Sequence, residues 1–365
     1  NQDLRPFTNI SLGSSDGQTG LPTASVISPA NPALKWENTY VTNFGIDYGL
    51  LNGRLSGTID LYNKKGTDII YLLEVNPTFL GAGNTINRNG VTMSNKGIDL
   101  GINGAIVDSK NFGWNMGVNF SYNTNKVTSN LLKPTTSFYS SFSGQIVGYA
   151  SDAIFAYRNA GLDSLGWTKI YDQNGNKIRS NVAVTDMGAI KYAGRRTAPV
   201  YGSLQNTFRY KNWSMFVLAT YSFGSVFRAP VATQYPTSRK LYYNTSGDIA
   251  KRWQNAGDET KTIVPGIAGS YASVSVYRYA YSDVNIQPGD YIRLREISLS
   301  YQLPSEMAGK VFAKNIKISG AVRNLGLIWK KNKLGIDPDY VPALASTVLH
   351  LPATPQYNLM LNVGF

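Results

Sequence analysis

The sequence contains no cysteine, and its only histidine is His350. The absence of cysteine excludes disulfides and thiol chemistry, and a lone histidine cannot build a zinc site without further ligands. No Ser-His-acid triad can be assembled around His350, so we interpret it as a solvated loop residue. Asp337 and Asp339 could be read as calcium ligands, but no EF-hand loop pattern follows them. We therefore predict no catalytic residues, no metal site and no cofactor, and we expect that the protein is not an enzyme.

The sequence also lacks long hydrophobic runs. A membrane-spanning helix needs about 18 or more consecutive apolar residues, and no such run is present. Helical membrane spans are therefore excluded. The mean hydropathy of −0.20 does not exclude a transmembrane β-barrel, because barrel strands alternate apolar and polar residues. The 24 Tyr and 35 Gly residues favour strands and turns over helices.

The 35 Lys and Arg residues outnumber the 22 Asp and Glu residues, which gives a formal net charge of +13. The basic residues are scattered through the predicted turns and loops, and neither a basic helix nor an aromatic RNA-binding signature accompanies them. We therefore predict no nucleic-acid partner. A basic surface that faces anionic lipid or an acidic partner is the interpretation we favour.

What the sequence does contain is alternation with a period of two, most clearly at its end. Tyr357, Leu359, Leu361, Val363 and Phe365 are apolar or aromatic, and mostly polar or small residues separate them. This pattern predicts a strand with one apolar and one polar face. A half-buried strand of a soluble sandwich would look similar, but the length matches the roughly 9–11 residues of a tilted membrane strand.

The same alternation recurs in roughly nine segments, and residues 112–123 give the clearest example. Large apolar groups share one face there, and Gly, Asn and Ser, including Asn119, share the other. This combination favours a lipid-facing surface over a watery lumen. The residues predicted to face lipid in this and other strands are Trp114, Val118, Phe120, Trp213, Val217, Tyr221, Leu359, Leu361 and Phe365. Aromatic residues near strand ends, such as Tyr48 and Phe223, are interpreted as interfacial girdles.

Short turns and long loops alternate along the chain. Short turns are predicted at 51–53, 108–111, 211–212 and 304–314, and long loops at 67–91, 126–199, 228–290 and 330–354. Residues 1–38 are also expected to be loop, short strands are expected near 149–157 and 168–171, and a helical turn within 305–313. Outer-membrane barrels have short periplasmic turns and longer extracellular loops. We therefore expect the long loops to lie outside the cell and to contact partners.

Several short runs, in their order and spacing, resemble the SusC/RagA family of TonB-dependent transporters. The resemblance covers nearly the whole chain. These runs are Asn31–Glu37, Ile46–Gly49, Asp60–Lys65, Asn95–Leu100, Asn119–Val127, Gly161–Asp163, Tyr291–Glu296, Leu299–Pro304, Arg323–Leu325 and Gly335–Asp339. Asp339 stands where the family more often has Glu.

The resemblance implies an all-β fold in which residues 1–365 form the C-terminal part of an antiparallel transmembrane barrel of about 22 strands. It also implies location in the cell outer membrane of a Gram-negative bacterium and import of oligosaccharides or peptides. The implied partners are a SusD-like surface lipoprotein and TonB, the latter through a plug domain outside this sequence. Two alternatives stay open, which are a passive porin-like channel and a component or client of a larger outer-membrane assembly.

The strand count predicts that this sequence does not close a barrel by itself. Bacterial barrels use an even number of strands, and an unpaired edge is not tolerated in a membrane. We therefore expect residues 40–50 not to pair with residues 356–365, and we interpret the sequence as part of something longer.

Aromatic residues in the long loops are the candidate ligand or partner contacts. Their rings could stack on a sugar or contact a lid protein, and the alternative is packing within the loops. These candidates are Trp167, Tyr171, Tyr242, Tyr243 and Trp253.

Overall fold

The structure, a computed structural model, describes residues 8–28, 30–74, 85–131, 145–232, 246–267, 270–341 and 351–365. The strands in chain order are β1 (Asn9–Ser15), β2 (Pro22–Ser28), β3 (Asn38–Leu50), β4 (Leu55–Glu74), β5 (Thr85–Asp108), β6 (Phe112–Asn130), β7 (Ala153–Tyr157), β8 (Asn159–Leu162), β9 (Thr168–Tyr171), β10 (Lys177–Ile178), β11 (Ile190–Arg195), β12 (Val200–Tyr210), β13 (Trp213–Phe223), β14 (Val226–Arg228), β15 (Ile286–Pro288), β16 (Tyr291–Gln302), β17 (Asn315–Lys330) and β18 (Gln356–Gly364). The α-helices are α1 (Ala272–Ala280) and α2 (Ser305–Gly309), and 3-10 turns lie at Met187–Ala189, Gly247–Lys251, Asp258–Thr260, Asp283–Asn285 and Pro338–Tyr340. Within the described residues, neither helix has the length and apolar character that a membrane span requires.

A nine-stranded antiparallel sheet contains all nine segments that the alternation predicts. Its strand order is β18-β17-β16-β13-β12-β6-β5-β4-β3. Strands β3 and β18 lie at opposite ends of this order, and no pairing between them is found in the described part of the chain. Within the described residues the sheet is thus open, with β3 and β18 as its two edges.

The register of the sheet places the predicted lipid-facing residues of its strands on one face. Val118 lies opposite Ile102 on one side and Leu204 on the other, and Leu361 lies opposite Ile318. Asn119 lies on the other face, opposite Gly101 and Ser203. Leu359 and Leu361 expose 85% and 64% of their surface, so the described protein leaves this apolar face uncovered. An uncovered apolar face of this extent requires a lipid or protein partner.

Aromatic rings lie at both ends of the apolar face. At the end with short turns, the rings of Trp213 and Tyr301 are 4.7 Å apart. At the opposite end, Phe223 lies 5.4 Å from Tyr221 and 6.2 Å from Trp329. Such paired belts are typical of the two water interfaces of a membrane barrel. Phe365 follows β18 directly and is 79% exposed.

Tyrosine rings fill the space above glycines on neighbouring strands. A Cβ atom at Gly57 would lie 2.5 Å from the Tyr48 hydroxyl, and a Cβ at Gly202 would lie 2.5 Å from the Tyr221 hydroxyl. The Tyr221 hydroxyl donates a hydrogen bond to the Asn119 carbonyl at 3.0 Å. These positions therefore require glycine, because a Cβ would collide both with the ring and with a backbone carbonyl oxygen of the neighbouring strand, that of Gly101 or Asn119.

The strands are longer than the alternation predicts, so two predicted loop boundaries are wrong. Strand β4 continues to Glu74 and β5 begins at Thr85, within the predicted loop 67–91, and β6 continues to Asn130, within the predicted loop 126–199. The extra residues do not alternate, since Ile69–Leu73 of β4 form an unbroken apolar run and the end of β6, Lys126–Asn130, is mostly polar, but backbone pairing continues in both. Alternation reports only where one face is apolar, and hydrogen-bonded ladders extend beyond that zone.

The expectation that residues 1–38 form only loop is also wrong, because β1 and β2 pair as a hairpin. Its turn is held by Asp16, whose carboxylate accepts hydrogen bonds from the backbone nitrogens of Gln18 and Thr19. This bonding lowers the pKa of the Asp16 carboxyl. The hairpin contains few large apolar residues, so its sequence resembles a loop.

Two of the long connections fold into a compact layer, here called the loop layer, which comprises the described residues of 145–199 and 224–290. Strands β7 to β11, β14 and β15 and helix α1 belong to it. The predicted strands near 149–157 and 168–171 are present as β7 and β9, and the helical turn at 305 is present as α2. Helix α1 corrects the expectation of a plain loop over 228–290. Its sequence alternates Val and Tyr with Ser and Arg, which is a pattern more typical of a strand.

The loop layer has its own hydrophobic core. Its fully buried side chains include Ile154, Phe155, Ile170, Val276 and Tyr279. Backbone bonds connect the layer to the sheet, since the amide of Val127 donates to the Tyr149 carbonyl and that of Asn123 to the Pro199 carbonyl. The layer therefore lies at the end of the sheet that carries the long connections.

Candidate functional site

The loop layer is assembled around a buried arginine on β14. Arg228 is only 7% exposed, and its Nη2 donates to the Phe155 carbonyl of β7 at 2.8 Å. Its Nη1 lies 3.4 Å from the carbonyl oxygen of Ala280 at the end of α1, and its guanidinium lies 4.6 Å from the centre of the Tyr281 ring. Burial lowers the pKa of Arg228 to about 10, so the group stays charged at neutral pH. Arg228 thus joins β7, β14 and α1.

A second buried arginine attaches α1 to the segment that follows β10. The Arg278 guanidinium donates to the Arg179 carbonyl at 2.7 Å and to the Val182 carbonyl. Burial lowers the pKa of this group as well. Helix α1 is further held through Ser275, whose hydroxyl accepts from the Thr168 amide at 2.7 Å. One face of α1 is therefore fixed by polar contacts.

A partly exposed aromatic and apolar surface lies beside this face of α1. Tyr271, Val274 and Tyr277 are 40%, 39% and 39% exposed, and their spacing of three residues places them along one side of the helix. The Trp167 ring meets Tyr271 edge-on at 5.4 Å. We call these four residues the aromatic ridge. Large exposed apolar groups in a cluster mark interaction surfaces more often than singly scattered ones do.

Asp163 positions the turn that carries Trp167. Its Oδ1 accepts hydrogen bonds from the backbone nitrogens of Leu165 at 3.0 Å and Trp167 at 2.9 Å. Arg179 Nε lies 3.7 Å from the other carboxylate oxygen. Asp163 is the last residue of a run that resembles the transporter family, and in the structure it acts as a buried turn cap.

Trp253 packs within the loop layer. A Cβ at Gly166 would lie 2.5 Å from its indole and a Cβ at Gly266 2.9 Å, so the indole lies against two glycine backbones. Its Nε1 donates to the Glu259 carboxylate at 3.0 Å, and this bond is the main reason why the pKa of Glu259 is lowered. We call this arrangement the tryptophan clasp.

The other candidate aromatics are not brought together with the ridge. Tyr171 lies on β9 with the guanidinium of Arg158 5.9 Å and the ammonium of Lys177 6.0 Å from its ring centre. Tyr242 and Tyr243 lie outside the described residues, as does His350. The structure thus places Trp167 in the ridge and Trp253 in the clasp, with Tyr171 beside two cations.

The final long connection is tied to the sheet by ion pairs. Arg293 of β16 is 4% exposed, and its Nη2 lies 2.5 Å from Asp337 and 3.0 Å from Asp339. The Tyr291 hydroxyl donates to Asp339 at 2.7 Å. The two aspartates, considered above as calcium ligands, are therefore engaged with cationic and phenolic groups. Within the described residues, no cluster of three or more His, Cys, Asp or Glu could hold a metal ion.

Sequence reasoning did not identify Arg228, Arg278 or Arg293 as buried. One signal was available for Arg228, which stands in the run Val226–Val231, where all other residues are apolar. No comparable local signal marks Arg278 or Arg293. Their partners lie 99 and 44 residues away in sequence.

Comparisons with known proteins agree with this architecture. A family model described as "TonB dependent receptor-like, beta-barrel" matches residues 1–215. The TonB-dependent receptor SusC of Bacteroides thetaiotaomicron is 25% identical over 85% of this chain and 30% of its own length. The TonB-dependent receptor P39 of Formosa agariphila is 24% identical over 85% of this chain and 33% of its own length.

A solved structure titled as the RagAB peptide transporter has the same fold. It aligns with a TM-score of 0.74 at 21% identity and covers 98% of this chain and 38% of that one. The chain spans about a third of the length of the curated relatives it matches. A family-model match over more than half of the residues, with relatives and a fold that agree, establishes the family. The chain belongs to the TonB-dependent receptor β-barrel proteins of the SusC/RagA family, which lie in the outer membrane of Gram-negative bacteria.

Proposed function

We propose that this chain forms part of an importer that carries oligosaccharides or peptides across the outer membrane with energy transmitted through TonB. Membership of the SusC/RagA family supports the proposal. The similar RagAB structures are titled as a peptide transporter and a peptide importer, which makes peptides one of the two substrate classes to test.

We also propose that a SusD-like surface lipoprotein docks on the loop layer. The observation that carries this proposal is the aromatic ridge, at the end of the sheet with the long connections. Three of its four residues lie on α1 or at its N-terminus, and Arg228 and Arg278 hold this helix in place. A rigid, partly exposed aromatic cluster is the kind of surface that supplies binding energy at an interface.

The substrate is proposed to contact aromatic rings of the loop layer. Trp167 and Tyr171 are both half-buried, so each keeps part of its ring accessible. Tyr171 also has two cations beside it, which could pair with a peptide carboxylate. Trp253, Tyr242 and Tyr243 complete the set of candidate contacts.

The experiment purifies the protein under native conditions from the outer membrane of cells that express it. We expect a surface lipoprotein to copurify, and we expect uptake of labelled oligosaccharides or peptides to stop when the proton gradient is dissipated. Uptake that continues without the gradient would instead indicate a passive channel. Copurification of other membrane subunits without a lipoprotein would indicate a role in a larger assembly.

A pair of variants tests the docking surface. Val274→Glu with Tyr277→Glu places two charges on the ridge, and we expect the lipoprotein to be lost from the complex. The control Asn174→Glu adds a charge to an exposed turn of the same layer and should leave the complex intact. Normal copurification with the ridge variant would refute the proposed docking surface but not the transport function.

A further inference from the structure

A row of aromatic rings crosses the apolar face at the short-turn end of the sheet. Tyr210 lies opposite Trp213, and Trp213 lies opposite Tyr301. Residues 304–314 follow this row closely in the chain, connect β16 to β17 and include α2. We call this connection the β16–β17 turn. It lies next to one of the two aromatic belts, where a membrane barrel meets water.

The β16–β17 turn exposes three large apolar side chains. The exposed fraction is 55% for Met307, 56% for Val311 and 93% for Phe312. Phe312 also has a φ of 58°, a left-handed conformation that is unfavourable for a residue with a Cβ. Neither its exposure nor its backbone conformation helps the described protein to fold, which indicates a contact outside it.

The turn is held in this shape by its own contacts. Ala308 and Ala313 are buried, and the Ala313 amide donates to the Ala308 carbonyl at 3.1 Å. The Met307 amide donates to the Pro304 carbonyl at 3.0 Å. The exposed side chains are therefore presented by a turn of defined shape.

Three lysines surround these apolar groups. Lys310 and Lys314 stand on either side of Val311 and Phe312 in the sequence. Lys211 belongs to the neighbouring β12–β13 turn, and it lines the same cavity as Lys314. In the described part of the chain, no carboxylate side chain lies within salt-bridge distance of these lysines. Their charges are therefore available to an anion from outside the described protein.

Two of the lysines lie beside the apolar face of the sheet. The Lys314 ammonium donates to the Phe365 carbonyl at 3.0 Å, at the end of the apolar row that contains Leu361. The Lys211 ammonium lies 5.6 Å from the centre of the Tyr210 ring. Lysines next to aromatic rings at the edge of an apolar surface are typical of the headgroup level of a membrane.

We propose that the β16–β17 turn and Lys211 form an anchor for anionic phospholipid in the membrane leaflet at the short-turn end. The three exposed apolar side chains enter the boundary between headgroups and acyl chains, and Lys211, Lys310 and Lys314 bind the phosphate groups. A phospholipid supplies both chemistries, since its acyl chains cover apolar groups and its phosphate pairs with ammonium groups. Lysines without a carboxylate partner favour lipids of net negative charge. This inference goes beyond the transport proposal and does not depend on it.

The first test locates Phe312 in the membrane. The chain contains no cysteine, so Phe312→Cys and Lys110→Cys can each be labelled with nitroxide in phosphatidylglycerol nanodiscs. Lys110 is exposed in the β5–β6 turn. We expect oxygen to reach the label at position 312 and a water-soluble nickel complex to be kept from it, with the reverse at position 110. Equal access of the nickel complex to both labels would overturn the proposal. Shielding of position 312 from both reagents would also overturn it, because protein would then cover the turn.

The second test measures headgroup preference by native mass spectrometry of protein released from nanodiscs with equal amounts of phosphatidylglycerol and phosphatidylcholine. We expect phosphatidylglycerol to dominate among the lipids that stay bound. Lys211→Gln with Lys310→Gln and Lys314→Gln should lower the ratio of bound phosphatidylglycerol to bound phosphatidylcholine by about fivefold or more. Arginine at the same three positions keeps the charges and should keep the ratio, which separates loss of charge from a folding defect.

The charge-matched control is Lys191→Gln with Lys251→Gln and Lys261→Gln, three exposed lysines of the loop layer. This control should keep the native ratio. An equal fall in the anchor variant and the control would show attraction by net charge alone. A native ratio in the anchor variant would show that its lysines do not select the lipid. Either result would overturn the proposal.

Discussion

The nine-stranded sheet and the loop layer are stabilised in opposite ways. The sheet exposes large apolar side chains on one whole face, as at Leu359, and relies on its surroundings to cover them. The loop layer buries its apolar residues in a core of its own and places charged arginines beside carbonyl oxygens. The first arrangement suits a lipid solvent on one side, and the second suits water. The same chain therefore has one region that needs a cover on its apolar face and another that buries its apolar residues itself.

The largest expected effect concerns the two faces of the sheet. Val118→Arg or Leu361→Arg should lower the free energy of unfolding by roughly 2–4 kcal/mol, because each places a charge toward lipid. Asn119→Arg on the polar face should cost much less. Unfolding in a bilayer or detergent, measured by denaturant titration, checks this difference. Equal losses at positions 118 and 119 would mean that the faces have been assigned incorrectly.

Arg228→Met tests the loop layer. The substitution keeps a similar volume but removes the hydrogen bonds that Arg228 donates to the carbonyls of Phe155 and Ala280, at a cost of roughly 3 kcal/mol to the layer. We expect limited proteolysis to cut within 145–199 or 224–290 while the sheet keeps its heat resistance on gels. If the sheet lost its heat resistance together with the layer, the two regions would not be independent.

Gly202→Ala tests the contact between tyrosine and glycine. The added methyl group would collide with the Asn119 carbonyl oxygen and the Tyr221 ring and should lower the free energy of unfolding by about 2 kcal/mol. Gly320→Ala is the matched control on the same face, since a Cβ there has no neighbour within 4 Å. A denaturant titration of both variants should show a loss for Gly202→Ala only. Similar values for the two would show that the close approach of the ring and the carbonyl to Gly202 contributes nothing to stability.

The tryptophan clasp should open in acid, and this is the smallest effect that we predict. Because the pKa of Glu259 is lowered in the folded protein, its contribution to stability is complete above the ordinary pKa of glutamate. That contribution is lost as the pH falls through the folded value. Tryptophan fluorescence should change in this range, and Glu259→Gln or Trp253→Phe should remove the change. A signal that persists in both variants would come from another tryptophan.

The sheet could be predicted from the sequence because its information is local. Alternation at 112–123 or 355–365 reveals a strand and both its faces without knowledge of any partner. The strand ends at Glu74 and Asn130 were not predicted because neither segment alternates: an unbroken apolar run precedes Glu74, and mostly polar residues precede Asn130. The faces of the strands were predictable, whereas their full lengths were not.

The loop layer could not be predicted in the same way because its contacts connect distant residues. Arg228 binds the carbonyl of Phe155, 73 residues away, and the Thr168 amide binds Ser275, 107 residues away. Helix α1 was not predicted for a related reason. Its polar residues Ser275 and Arg278 bind backbone groups that are distant in sequence rather than water. Among the candidate aromatics, sequence identified Trp167 and Trp253 as loop residues but could not separate the ridge from the clasp.

The central claim is that the apolar face of the sheet contacts lipid while the loop layer contacts water. Because the chain contains no cysteine, single cysteines can be introduced without background and labelled with nitroxide. Labels at Leu204 and Leu359 should be quenched by oxygen dissolved in lipid, whereas labels at Gln205 and Tyr277 should be reached by a water-soluble nickel complex. Equal accessibility of positions 204 and 205 to the two reagents would contradict the account.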